Sequence, residues 1–226
     1  MGRFFRRSGI VVACAFTSIL LWVGLIACQA FIQTPGYIEH AEKSGKLEVR
    51  VEDVPSEYLE ALLTVEDPNF YQHNGVDLTT KGAGWTTITQ AIVKAHFYED
   101  FSPGFLRHRK VNQTIIALVF DARTDKHTQL RLFINTSYFG TVHGREITGF
   151  RMAAREYYEK EFHDLTKDEF LSLTAMLIAP QTYSIRDFPD VNQDRVFRIK
   201  RLLNGDCEPA SHGDVYYQNC TTKLTP

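Results

Sequence analysis

Zinc-ligand spacings are missing from this chain. Its four cysteines include no CxxC pair and its eight histidines are scattered, so no zinc site is written in it. An excess of charge is missing as well: a formal net charge of -2 leaves no electrostatic footprint for a nucleic-acid partner. Internal repeats and low-complexity tracts are absent, which excludes solenoid arrays and long biased segments. What remains is an ordinary globular composition, long enough at 226 residues for one well-cored domain and a membrane segment.

The first segment departs from that ordinariness. From Ser8 to Ile32 the chain is uncharged and mostly apolar, and Arg3, Arg6 and Arg7 precede it. A helix crosses the hydrocarbon core with roughly 20 apolar residues, so this run is long enough. Arginines on its amino side place the rest of the chain outside the cytoplasm. Leu25-Ile26-Ala27-Cys28 also has the pattern of a lipoprotein signal, whose cleavage would leave Cys28 lipidated. The apolar run continues through Ala30, Phe31 and Ile32, which favours an uncleaved anchor. Both readings tether the domain to the outer face of the membrane. In that compartment Cys207 and Cys220, in a Gly/Pro/Asn-rich region, are expected to close a small loop as a disulfide.

The expected organisation is a cytoplasmic tail over 1–8, an anchor over 9–32, a linker with a short strand over 33–54, a helical domain over 55–205 and a tail over 206–226. Alternation in Lys46-Leu47-Glu48-Val49-Arg50-Val51 predicts the strand. Helical spacing of Leu59, Leu62 and Leu63 predicts a helix from Pro55 to Glu66, and a second follows the glycine break at Gly82 and Gly84 through Ile92 to Phe97. A longer helix starts near Leu106 and buries Val111, Ile115, Ile116, Leu118, Val119 and Phe120; others cover 129–134 and the FRMAAREYYEK segment after Gly149. Thr166 and Glu169 form a capping box opening a helix that stops at Pro180. The last helix is expected over 192–203, with Gly205 just past its end. The fold class is therefore all-α, with one N-terminal transmembrane helix.

Three segments carry chemistry. VEDPNFYQHNGVD, from Val65 to Asp77, delivers Glu66 from a packed helix into a polar turn with Asp67, Phe70, His73 and Gly75. Burial against apolar neighbours raises a carboxyl's pKa, which suits a general base. GWTTITQAIVK, from Gly84 to Lys94, gathers Thr86, Thr87, Thr89 and Gln90 at a helix start, with Lys94 one turn beyond Gln90. Free backbone N–H groups and hydroxyls there make a phosphate cradle, or the threonines merely cap the helix. RHRKVNQ, from Arg107 to Gln113, puts Arg109, Lys110 and Gln113 together by spacing.

In this order the three segments strongly resemble glycosyltransferase family 51, the peptidoglycan glycosyltransferase domain of monofunctional transglycosylases and class A penicillin-binding proteins. LRLFINTSYFG (Leu130 to Gly140), GFRMAAREYYEK (Gly149 to Lys160) and LTKDEFLSLTAMLIAP (Leu165 to Pro180) are also similar to that family, so the likeness spans about Val54 to Leu203. It implies a mainly helical, lysozyme-like domain that joins lipid-linked disaccharides (lipid II type), with polyprenyl pyrophosphate leaving and inversion at C1. Carried over by motif, Glu66 is the general base, while Asp67, Phe70 and His73 shape its site. Thr86, Thr87, Thr89, Gln90, Lys94, Arg109 and Lys110 match positions that line the donor site and hold pyrophosphate, and Asn135, the asparagine of the ILELYLN-like segment, is expected to bind substrate as well. The implied partners are the lipid-linked disaccharide, the growing glycan chain, the membrane and other cell-wall synthesis proteins.

The departures are as informative. Gln113 stands where the family has its second glutamate, Ala91 replaces a glutamine, and Arg131 replaces the glutamate of ILELYLN. No cofactor is called for; a divalent cation (Mg2+) is the one candidate, and Gln113 would be a poor ligand for it. Asp77 and Gly84 are closer together than in the family, so a mobile stretch beside the donor site is largely missing, which weakens donor retention and processivity. A catalytically impaired pseudo-glycosyltransferase is the alternative reading. A lysozyme-type hydrolase would need Asp67, directly adjacent to Glu66, as its second carboxylate. No SxxK nucleophile of a transpeptidase occurs.

Overall fold

A computed structural model describes residues 2–97 and 109–220, with side chains from residue 10 onward. The expected helix start near Leu106 and the residue Arg107 lie outside the described residues. Helix α1 (Gly2–Lys43) runs unbroken through Cys28 and through the stretch expected as linker. Its continuation has a helical inward face, with Ala30, Thr34 and Ala41 buried and Tyr37 packed against the core. The polar residues between them hid that spacing in the sequence. Pro35 sits within the helix, where it donates no hydrogen bond. From Ile10 the helix is long and apolar enough to cross a membrane, and its first half is bare, with Val12 68% and Leu25 71% exposed.

The strand expected at residues 46–51 does not form. Leu47 and Val49 do alternate inward, but Val49 exchanges both backbone bonds with the side-chain amide of Asn135, at 2.9 and 2.8 Å, and a 3-10 turn (Val51–Asp53) follows. A side chain has taken the place of a neighbouring strand. The domain proper is built from α2 (Ser56–Glu66), α3 (Ile88–Phe97), α4 (Arg109–Arg123, as described), α5 (Lys126–Thr136), α6 (Phe150–Tyr158), α7 (Lys167–Met176) and α8 (Pro189–Leu203). Their inward faces enclose Phe70, Ile88, Ile92, Ile116, Phe120, Leu130, Phe139, Phe150 and Phe170. Tyr58, Phe170 and Phe150 stack in series at 4.7 and 5.1 Å. The carboxyl-terminal half of α1 lies along α4, where the Arg123 guanidinium sits 4.0 Å above the Phe31 ring.

The Thr166–Glu169 capping box opens α7, with reciprocal bonds of 3.3 and 2.8 Å, but α7 ends at Met176, ahead of Pro180. The sequence reading missed an antiparallel hairpin, β1 (Tyr138–Val142) with β2 (Arg145–Thr148). His143 and Gly144, at φ 52° and 77°, form its two-residue turn, a geometry more often signalled by Asn-Gly. Gly149 (φ 79°) then starts α6, and a Cβ there would come within 2.4 Å of the Asn135 carbonyl oxygen.

A smaller cluster of Ala61, Val65, Leu171, Ala175, Val196 and Ile199 joins α2, α7 and α8. Tyr217 and Cys220 complete it from the tail, where Cys207 and Cys220 are disulfide-bonded. Helix α2 is therefore held on both sides, and Glu66 is its last residue.

Candidate active site

Asp67 ties the turn after α2 to the beginning of α3. It is buried, and its carboxyl oxygens accept from the Ile88 backbone N–H at 2.9 Å and lie 2.9 and 3.0 Å from His73 Nε2. Thr87, just ahead of α3, donates its hydroxyl to the Gly75 carbonyl at 2.7 Å, closing the turn from the other end. Glu66 projects from this braced corner with part of its surface open. Burial pushes its carboxyl up to about 7; the Arg195 guanidinium pulls the other way and Asp67 reinforces the rise.

The residues expected at the site fall into two groups. Thr86, Lys94, Arg109 and Lys110 are exposed. Lys110 reaches from α4 to α3, donating to Thr86 Oγ1 at 3.1 Å and to Gln90 Oε1 at 3.3 Å. Desolvation, then the neighbouring Lys94, lowers the Lys110 pKa, as expected where cations gather before an anion arrives.

Thr87, Thr89 and Gln90, expected to line the donor site, and Phe70, expected to shape the first, are buried. Thr87 and Gln90 cap each other: Gln90 N donates to Thr87 Oγ1 at 3.1 Å, and Thr87 N donates to Gln90 Oε1 at 3.3 Å. Thr89 donates to Gln129 Oε1 at 2.7 Å, fixing α3 to α5. Phe70 is a core ring with Lys126 Nζ 4.6 Å above it. Asn135 also acts as a brace, bonded to the backbones of Val49 and Arg131. His73 is buried against Asp67 and orients it.

Gln113 is buried as well, and its Nε2 donates to the Gln90 carbonyl at 2.7 Å. A glutamate there would lose this bond and aim a carboxylate at a carbonyl oxygen. Gln113→Glu is therefore expected to lower stability by about 1–3 kcal/mol at pH 8 and by less at pH 4, in urea unfolding. Equal stability at pH 8 would show that the new carboxylate turns to the nearby cations instead. A divalent cation fits this corner poorly: cations crowd it, Gln113 brings no charge, and no cluster of metal-ligating side chains occurs among the described residues.

The sequence reading missed Arg195 and Tyr217, the charged and aromatic neighbours of Glu66. Arg195 carried a signal, since it lies on the stripe of α8 that buries Asn192, Val196 and Ile199, where an arginine is unusual. Tyr217 carried none.

Comparison with known proteins adds a family to this geometry. The family model described as "Transglycosylase" matches residues 35–204. Penicillin-binding protein 1F of Bacillus subtilis is 33% identical over 169 residues, covering 69% of this chain and 23% of the relative. Penicillin-binding protein 1B of Escherichia coli is 30% identical over 162 residues, 66% of this chain and 19% of the relative. Penicillin-binding protein 1A of Pseudomonas aeruginosa is 31% identical over 163 residues, 65% and 18%. The chain thus spans about a fifth to a quarter of the length of these relatives.

Proposed function

The chain belongs to the transglycosylase family, and from that premise we propose that it is a membrane-anchored, monofunctional peptidoglycan glycosyltransferase. Its substrate is a lipid-linked disaccharide of the lipid II type. Glu66 takes the proton of the acceptor sugar hydroxyl, whose oxygen forms the new bond to the donor C1 with inversion. The bond from C1 to the pyrophosphate oxygen breaks, and its electron pair leaves with the polyprenyl pyrophosphate. Lys110, Arg109, Lys94 and Thr86 receive the charge that develops there. The observation that carries this reading is the coupling of two unlike sites. The Asp67 bond to Ile88 N holds a carboxyl poised at about 7 in register with the helix start that leads to the cations.

The apolar first half of α1 with arginines before it supports a single-pass anchor with the domain on the outer side. The unbroken helix beyond Cys28 supports an uncleaved anchor. Glycan chains and the lipid carrier are the partners this function requires. Asp67 cannot serve as a hydrolase's second carboxylate while it is buried and committed to Ile88 and His73. A second reading, a non-catalytic binder of lipid-linked glycan, draws on Gln113, whose amide is committed to a backbone carbonyl.

The pH profile tests the base directly. Glu66 must be ionised to accept a proton, so kcat/KM should rise with pH and level off above about 7. The fold should respond in the opposite sense: a carboxyl at about 7 when folded and 4.5 when unfolded makes its contribution to stability fall as pH climbs between those values. An acid limb centred near 4.5 would show that Glu66 is not the group titrating.

A further inference from the structure

The tail beyond α8 lies outside the stretch matched to the family, which ends at residue 204, yet it is built into the corner that carries Glu66. Cys207 and Cys220 close it into a loop. One side of this loop lies on the glycine break ahead of α3. Gly82 N donates to the Ser211 carbonyl at 3.0 Å, Gly84 N to the His212 carbonyl at 2.8 Å, and His212 Nδ1 lies 2.8 Å from the Thr80 carbonyl. The His212 ring also meets Trp85 edge-on at 4.9 Å. The fit leaves no room for side chains: a Cβ on Gly82 would come within 2.6 Å of Pro209, and one on Gly84 within 2.5 Å of Val215.

The other side of the loop reaches α2. Tyr217, fully buried, donates its hydroxyl at 2.8 Å to the carbonyl of Val65, the residue directly before Glu66. Three arginines of α8 fasten the loop backbone. Arg195 Nη1 donates to the Val215 carbonyl at 3.0 Å, Arg198 Nη1 to Tyr216 at 2.7 Å and Arg201 Nη1 to Cys220 at 2.9 Å. The loop therefore bridges the end of α2 and the entry to α3, in the span from Asp77 to Gly84 where the chain is short.

Resting on the reading of Glu66 as the base, we propose that this disulfide-closed loop is a fixed wall of the reaction corner, and that Tyr217 is a positioning residue for Glu66. By holding the Val65 carbonyl it sets where the carboxyl points, and by covering that side it keeps water away. The titratable and charged groups facing Glu66 are Arg195 from α8, Asp67 from its own turn and Tyr217 from the loop. The first two are retained in the variants below, so a change in Glu66 reports on the loop.

The experiment compares full-length wild type, Cys207→Ser/Cys220→Ser and Tyr217→Phe in micelles. The carboxyl 13C titration of Glu66 is read by NMR, with its signal assigned by its loss in Glu66→Gln, and polymerisation of lipid-linked disaccharide is measured in parallel. Opening the loop admits water, so the Glu66 midpoint in the double variant should fall from about 7 toward 4.5. Tyr217→Phe keeps the ring and loses only the bond to Val65; kcat should drop roughly tenfold with KM held within about twofold. If the double variant does not fold, Tyr217→Ala, with its disulfide intact, replaces it in the titration. A Glu66 midpoint that does not move overturns the proposal whatever the activities are. Failure of every protein, wild type included, to polymerise is the failure of the preceding functional reading, and the titration still decides the role of the loop.

Discussion

Glu66→Gln should lower glycan polymerisation by about 10²- to 10⁴-fold, the usual contribution of a positioned general base. Glutamine keeps the size and polarity of the side chain but cannot accept the acceptor's proton. The same substitution should leave stability unchanged below about pH 4.5 and raise it progressively up to about pH 7, because over that window the unfolded wild-type carboxyl ionises while burial keeps the folded one protonated. Lost activity with a retained or higher melting temperature separates a catalytic role from a structural one. A protein that only binds lipid-linked glycan would be indifferent to the change.

Asp67→Ala should act on the fold itself. Asp67 accepts from the buried Ile88 N–H and pairs with the buried His73, so alanine strands both partners. Leaving these two groups without their acceptor costs about 1–3 kcal/mol each, read as a lower urea midpoint with the slope unchanged. Asp67→Asn, which keeps one acceptor oxygen, should cost about 1–3 kcal/mol. Polymerisation should fall in both variants, since the bond to Ile88 holds α3 in register with Glu66. A loss under 1 kcal/mol in Asp67→Ala would mean that the Thr87 bond to Gly75 alone holds the corner.

How far the molecule could be read from its sequence depends on the range of the interaction. Local rules worked where they are self-contained: the spacing of Leu59, Leu62 and Leu63 ends at Glu66, and Thr166 with Glu169 opens α7. They failed where the partner is remote. Leu47 and Val49 alternate as a strand does, yet the Val49 backbone bonds to a side chain 86 residues away. The motif around Thr87, Thr89 and Gln90 announced polar chemistry, but residue type does not give direction, and all three turn inward to brace α3. Tyr217 is 152 residues from Val65, and nothing local marks it as a neighbour of Glu66. Of the groups singled out in the sequence, Glu66, Thr86, Lys94, Arg109 and Lys110 keep surface open to solvent.

The most direct test of the account is to incubate purified full-length protein with lipid-linked disaccharide and measure glycan polymer together with released polyprenyl pyrophosphate. The account predicts both products, formed in step and lost together in Glu66→Gln. Tight binding of the lipid-linked disaccharide with neither product, in a wild-type protein that is folded and membrane-inserted, would contradict it and leave a glycan-binding protein on a catalyst's scaffold.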